Sequence, residues 1–124
     1  MECRIQKIAN VILVQVAGRV DHKTAKAFED ALLPQLDGCT GEAQKVLLDL
    51  GDVPYMSSAG LRVLMLAAKQ CRQQKGEIVV AALQPLLQEV FTISRFDTVF
   101  KIFDSTQEAL EALSPAAAAV YGRS

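Results

Sequence analysis

Two adjacent serines, Ser57 and Ser58, stand between a polar turn and a long apolar-striped segment. They are the side chains of this protein best placed to do chemistry. The stretch from Val46 to Cys71 reads VLLDLGDVPYMSSAGLRVLMLAAKQC: an apolar strand, a turn, the serine pair and then a helix. A hydroxyl residue at a helix start ordinarily caps the first turn, an interaction worth about 1 kcal/mol. Here Ala59 and Gly60 follow the pair, and their small size suggests a sterically open helix N-terminus. Such a terminus presents backbone N–H groups and positive dipole character, so it suits an anion, including a phosphate carried by one of the serines.

The other reactive residue types argue against catalysis. A nucleophilic serine needs an adjacent base, and the single histidine, His22, reads as a solvated residue at another helix start. Ser57 and Ser58 occupy no G-x-S-x-G elbow. Without a convergent acid, base and nucleophile, the chain is expected not to be an enzyme. Asp49 and Asp52 flank the loop before the serines and read as turn formers rather than cation ligands. Cys3, Cys39 and Cys71 are scattered, with no CxxC or Cys/His cluster, so neither a zinc site nor a disulfide framework is expected. With no GxxxxGK[ST] loop, nucleotide binding is not expected either, and no cofactor is implied.

The elements that must position the serines follow from pattern. Cys3 to Ile8 and Val11 to Ala17 read as two strands meeting in a tight turn at Ala9-Asn10. Asp21 caps a first helix in which Ala25, Phe28, Ala31 or Leu32, and Leu36 recur at helical spacing. Val46 to Leu50 is short and continuously apolar, as a central parallel strand should be. The helix from Ser58 presents Leu61, Leu64, Met65, Ala68 and Cys71 as its core stripe and stops at Lys75-Gly76. A second row on it, Val63, Leu66 and Ala67, is either buried as well or forms a partner-facing patch flanked by Arg62, Lys69 and Gln70. Glu77 to Ala82 is a strand, Gln84 to Ser94 a helix with Pro85 in its first turn, and Val99 to Phe103 a short edge strand. Phe91, Phe96, Phe100 and Phe103 read as packing around that strand. Ser105-Thr106-Gln107-Glu108 is a capping box opening a last helix through Leu113. The segment PAAAAVYGRS lacks an apolar face and is expected to fray.

At 124 residues, 51% of them hydrophobic, the chain suits one α/β domain: a mixed sheet of about five strands packed with four helices, in the order ββαβαβαβα. A formal net charge of -1 with dispersed lysines and arginines argues against nucleic-acid binding. Its apolar runs are too short to span a bilayer and MECRIQKIA resembles no signal peptide, so a cytoplasmic location without membrane insertion is expected. An exposed edge strand would allow a homodimer.

Taken in order, Gly18-Arg19-Val20-Asp21, Leu48-Asp49-Leu50, Tyr55-Met56, Ser58 with Gly60-Leu61, Phe103-Asp104-Ser105 and Glu108-Ala109-Leu110 resemble the STAS family, in its anti-sigma-factor-antagonist branch. The resemblance implies a STAS domain over residues 1–113, followed by a flexible tail at 114–124. It implies that Ser58 is the serine phosphorylated by a partner that is both kinase and anti-sigma factor. Ser57 stands where many members carry aspartate and is an alternative acceptor, and Asp21 corresponds to an acidic residue near the phosphorylated serine. Partner contacts are expected from Asp21, Ser57, Ser58, Ala59, Gly60, Arg62 and Leu66. The unmodified form would bind the anti-sigma factor and release a sigma factor. The alternative is a cytoplasmic STAS subunit docking on a membrane transporter of the lipid or ABC type.

Overall fold

A computed structural model describes residues 1–41 and 43–122. Its centre is one five-stranded sheet in the order β1-β2-β3-β4-β5: β1 Glu2–Ile8, β2 Val11–Ala17, β3 Lys45–Asp52, β4 Glu77–Ala81 and β5 Lys101–Phe103. β1 pairs antiparallel to β2 through a tight turn in which Ala9 takes a positive φ of 52°. All later pairings are parallel. Because consecutive parallel strands lie side by side, right-handed crossovers put the three connecting helices on one face of the sheet. These are α1 Ala25–Leu32, α2 Ser58–Gln73 and α3 Pro85–Ile93.

The pleat then sorts the apolar residues into two cores. Ile12, Val14, Val46, Leu48, Ile78 and Val80 point toward α1, α2 and α3, where Phe28, Leu64, Leu87 and Phe91 meet them. Val11, Leu13, Leu47 and Val79 point the other way, toward Ala109, Leu110, Leu113, Ala117 and Ala118. Both faces are covered, which is why Val46, Leu47 and Leu48 form an unbroken apolar run. Phe91, Phe96 and Phe100 cluster under α3, with the Phe91 and Phe96 rings edge to face at 5.5 Å. Phe103 instead joins the second core.

The second face carries a correction. The sequence pattern supports four helices and a fraying tail, whereas the described residues form five α-helices: α4 Thr106–Leu113 is followed by α5 Pro115–Tyr121. Ser114 caps α5 by accepting a hydrogen bond from the Ala117 N–H at 3.2 Å, and Pro115 occupies the first turn. Ala117 and Ala118 are buried in the second core, so alanines too small to register as an apolar stripe suffice for close packing. Arg123 and Ser124, the end of the expected tail, lie outside the described residues.

α2 departs from its expected stripe. Gly60, Val63, Leu64, Ala67, Ala68 and Cys71 are buried, while Met65 and Leu66 are 43% and 42% exposed. The apolar arc of this helix is wider than the strip the sheet can cover, and the covered strip is centred one residue away from Met65. Val63 and Ala67 therefore belong to the core, and Leu66 to the surface.

A chain ending at Leu113 should lose about 1–3 kcal/mol in urea unfolding, because the second core loses its alanine cover. An unchanged midpoint and slope would show that α5 contributes nothing to the fold.

Candidate functional site

Past its last ladder pair, β2 stays attached to β3. The Gly18 N–H donates to the Asp52 carbonyl at 2.9 Å, the Val20 N–H to Tyr55 at 3.0 Å and the Ser57 N–H to Val20 at 2.8 Å. Val20 and Met56 form an isolated parallel bridge. This stitching brings the loop that bears Asp21 beside the loop that bears the serines, at the carboxyl ends of the parallel strands. In open α/β sheets that is the end where sites form.

The two serines divide the roles that the sequence left open between them. Ser57 is the N-cap of α2, in extended conformation, with its Oγ accepting from the Gly60 N–H at 3.5 Å. Ser58 is the first residue of the helix and is exposed. No acidic side chain lies in the first turn to neutralise the dipole, so the mouth of α2 keeps its positive character around the Ser58 hydroxyl.

Gly60 requires a second correction. It is buried, and a Cβ there would lie 2.6 Å from Met56 Cγ and 2.8 Å from Val20 Cγ1. The missing side chain makes room inside the protein for the stitched loops rather than outside it for a ligand, so Gly60 seats the site instead of touching a partner. Ala59 is half-buried beside it.

Asp21 accepts from the Lys23 and Thr24 N–H groups at 2.9 and 3.1 Å through Oδ1, while its own N–H donates to Thr24 Oγ1 at 2.9 Å. This reciprocal cap holds the turn that leads into α1, which itself begins at Ala25. Desolvation pushes the Asp21 carboxyl upward, but the donated hydrogen bonds and the neighbouring His22 outweigh it and hold the group below the ordinary carboxylate range.

Around the serines, Arg19 and Tyr55 form a rim feature that residue spacing did not announce. The guanidinium carbon sits 4.5 Å from the ring centroid, a cation–π stack on exposed residues of the two stitched loops. Their 36-residue separation hid the contact; the only signal was that each belongs to one of the landmarks beside the serines. Along α2 from Ser58, Arg62, Met65, Leu66, Lys69 and Arg72 line a shallow groove of about 310 Å³. Leu66 and Arg62 are thus on the surface, as a partner contact requires. Asp49 is committed elsewhere: it accepts from Gln15, Gly51 and Thr106, the last at 2.8 Å, and ties β3 to the start of α4.

The STAS domain model matches residues 2–109. The chain belongs to the STAS family. BtrV of Bordetella bronchiseptica, which carries the name of an anti-sigma factor antagonist, is 40% identical over 94% of this chain and 97% of its own. Among solved structures, an anti-sigma-factor antagonist STAS domain protein from Planctomyces limnophilus superposes with a TM-score of 0.81, covering 90% of this chain and 97% of that one at 22% identity. The Bacillus cell fate determinant SpoIIAA in its phosphorylated form gives a TM-score of 0.69 at 12% identity, covering 90% and 99% of the two chains. At such identities the structures speak for the fold, and the α/β arrangement with its mixed five-stranded sheet is the STAS fold. This chain is thus a family member whose curated relative is named as an anti-sigma factor antagonist.

Two outcomes test the geometry of the site. Gly60→Val should cost about 1–3 kcal/mol in thermal or chemical denaturation, since Val20 and Met56 must give way; a neutral substitution would contradict the close approach. Asp21 has a lowered folded pKa, so its contribution is complete above its unfolded value of about 3.9 and disappears as pH falls through the folded one. Asp21→Ala should therefore melt earlier than the parent near neutral pH, with the gap narrowing below about pH 4. A gap independent of pH would mean that the carboxylate charge does not hold the turn.

Proposed function

We propose that this STAS protein is an anti-sigma-factor antagonist that acts by phosphorylation-controlled partner switching, with Ser58 as the acceptor. The observation that carries this reading is the exposed Ser58 hydroxyl at the first position of α2, with the capping role taken by Ser57 and no acidic side chain in the first turn. In this reading the protein is a cytoplasmic binding module and a kinase substrate with no catalysis of its own. Its partner is an anti-sigma factor with serine kinase activity. Asp21, Ser57, Ala59, Arg62 and Leu66 contribute the contact surface around Ser58.

The switch is electrostatic. A phosphoserine carries about -1.5 to -2 charges at neutral pH. Within its own domain, that charge is accommodated by the N–H groups and dipole at the mouth of α2. Against a closely packed partner it is uncompensated. A penalty of about 3–4 kcal/mol, within the range for disrupting buried polar contacts at interfaces, weakens binding by two to three powers of ten. The unmodified form binds the anti-sigma factor and frees the sigma factor, and the phosphorylated form lets go. The 40% identical relative favours this reading over docking on a membrane transporter.

Intact-mass analysis of protein from its native cells, with peptide mapping across Tyr55 to Arg62, should find one phosphate on Ser58 that is absent from Ser58→Ala. Ser58→Ala should retain partner binding, while Ser58→Asp should weaken it at least about tenfold, each tenfold corresponding to 1.4 kcal/mol. Phosphate on Ser57 alone, or no phosphate under any growth or stress condition, would overturn the assignment of Ser58.

A further inference from the structure

At the end of α2 opposite Ser58, the fold joins two cysteines that are 32 residues apart in sequence. Cys71 Sγ lies 3.8 Å from Cys39 Sγ, and both thiols are free and buried. Two contacts hold them in place. Gln74 Nε2 donates to the carbonyls of Leu36 at 2.7 Å and Cys39 at 2.9 Å, clamping the loop after α1 onto the last turn of α2. Gly76 lets the same loop approach closely, since a Cβ there would lie 2.1 Å from the Cys39 carbonyl oxygen. Cys71 also lines a cavity of about 250 Å³ that opens between Ala68, Arg72, Glu77 and Lys101. A small oxidant therefore reaches the pair from the Cys71 side, with the Cys39 sulfur 3.8 Å beyond.

We propose that Cys39 and Cys71 form a peroxide-oxidisable dithiol that closes reversibly to a disulfide between the loop after α1 and the C-terminal turn of α2. The thiols form a chain in which Cys71 donates to Cys39 and Cys39 to the Glu77 carbonyl at 3.2 Å. The hydrogen bond from Cys71 stabilises the Cys39 thiolate and, against the opposing effect of burial, holds its pKa below the ordinary thiol value. The same bond, together with burial, keeps the proton on Cys71.

In the oxidation, the Cys39 thiolate attacks one peroxide oxygen, the O–O bond breaks and Cys39 becomes a sulfenic acid. The departing hydroxide takes the Cys71 proton and leaves as water. The Cys71 thiolate so formed attacks the Cys39 sulfur, the S–O bond breaks and hydroxide leaves. Hydrogen peroxide is reduced by two electrons and the pair is oxidised by two. Closure needs the sulfurs to move from 3.8 Å to about 2.05 Å.

The test treats the folded full chain with millimolar hydrogen peroxide, then alkylates it in denaturant without reductant and maps the peptides. The expected product is lighter by two hydrogens before alkylation, takes one alkyl group, on Cys3, and yields a linked peptide joining Cys39 to Cys71. Dithiothreitol should restore alkylation of all three cysteines. Cys3→Ser, which leaves the pair intact, should form the same link, and Cys71→Ser should not. Three alkyl groups after peroxide, separate sulfinic acids on the two cysteines, or a link through Cys3 would overturn the proposal. The parent chain and Cys3→Ser decide the matter even if Cys71→Ser does not fold, and neither depends on phosphorylation of Ser58.

Discussion

The parallel pairing of β2 with β3 does not end where the strands end. It continues through the Gly18, Val20 and Ser57 N–H bonds into the Val20–Met56 bridge, and everything at the serine end of the molecule is placed by that continuation. Two loops that would otherwise move independently become a single rim carrying Asp21, Arg19, Tyr55, Ser57 and Ser58. The bridge is possible because Gly60 brings no side chain into the space that Met56 and Val20 fill. A backbone constraint inside the protein thus determines which hydroxyl faces solvent at the start of α2.

From that rim α2 runs about 24 Å along the sheet, being 16 residues long at 1.5 Å per residue. One side of it is fully committed to the core, through Gly60, Val63, Leu64, Ala67, Ala68 and Cys71. The other side leaves Met65 and Leu66 in solvent among Arg62, Lys69 and Arg72, a mixed apolar and cationic surface continuous with Ser58. The helix also carries chemistry at both ends: an exposed hydroxyl at its positive mouth and a buried thiol paired across to Cys39 at its other end. Packing holds these two groups apart on one rigid element, since the core side of α2 joins the strands in the larger of the two hydrophobic clusters.

Local chemistry made much of this legible before folding was considered. The turn at Ala9-Asn10, the apolar β3 and the Ser105 cap each follow from propensities within a few residues and stand where those propensities place them. By contrast, α2 already ends at Gln73, and Lys75, not Gly76, takes the left-handed conformation after it. The other misreadings were of a different kind. α5 was hidden because alanine has no strong apolar signature of its own. Met65 changed places with Val63 and Ala67 because helical periodicity says that a stripe exists without saying which edge of it the sheet will cover. Gly60 read as open space because a sequence does not reveal on which side of a helix the space lies.

The distinction is one of range. Residues near one another along the chain settled the element order, the Ser57–Ser58 helix start and the family landmarks, since capping, turn formation and periodicity act over about four residues. The tertiary structure alone decided that Arg19 stacks on Tyr55 and that Cys39 meets Cys71. Each of those outcomes depends on parallel strand pairing and helix packing, which join segments tens of residues apart, and no local preference encodes them.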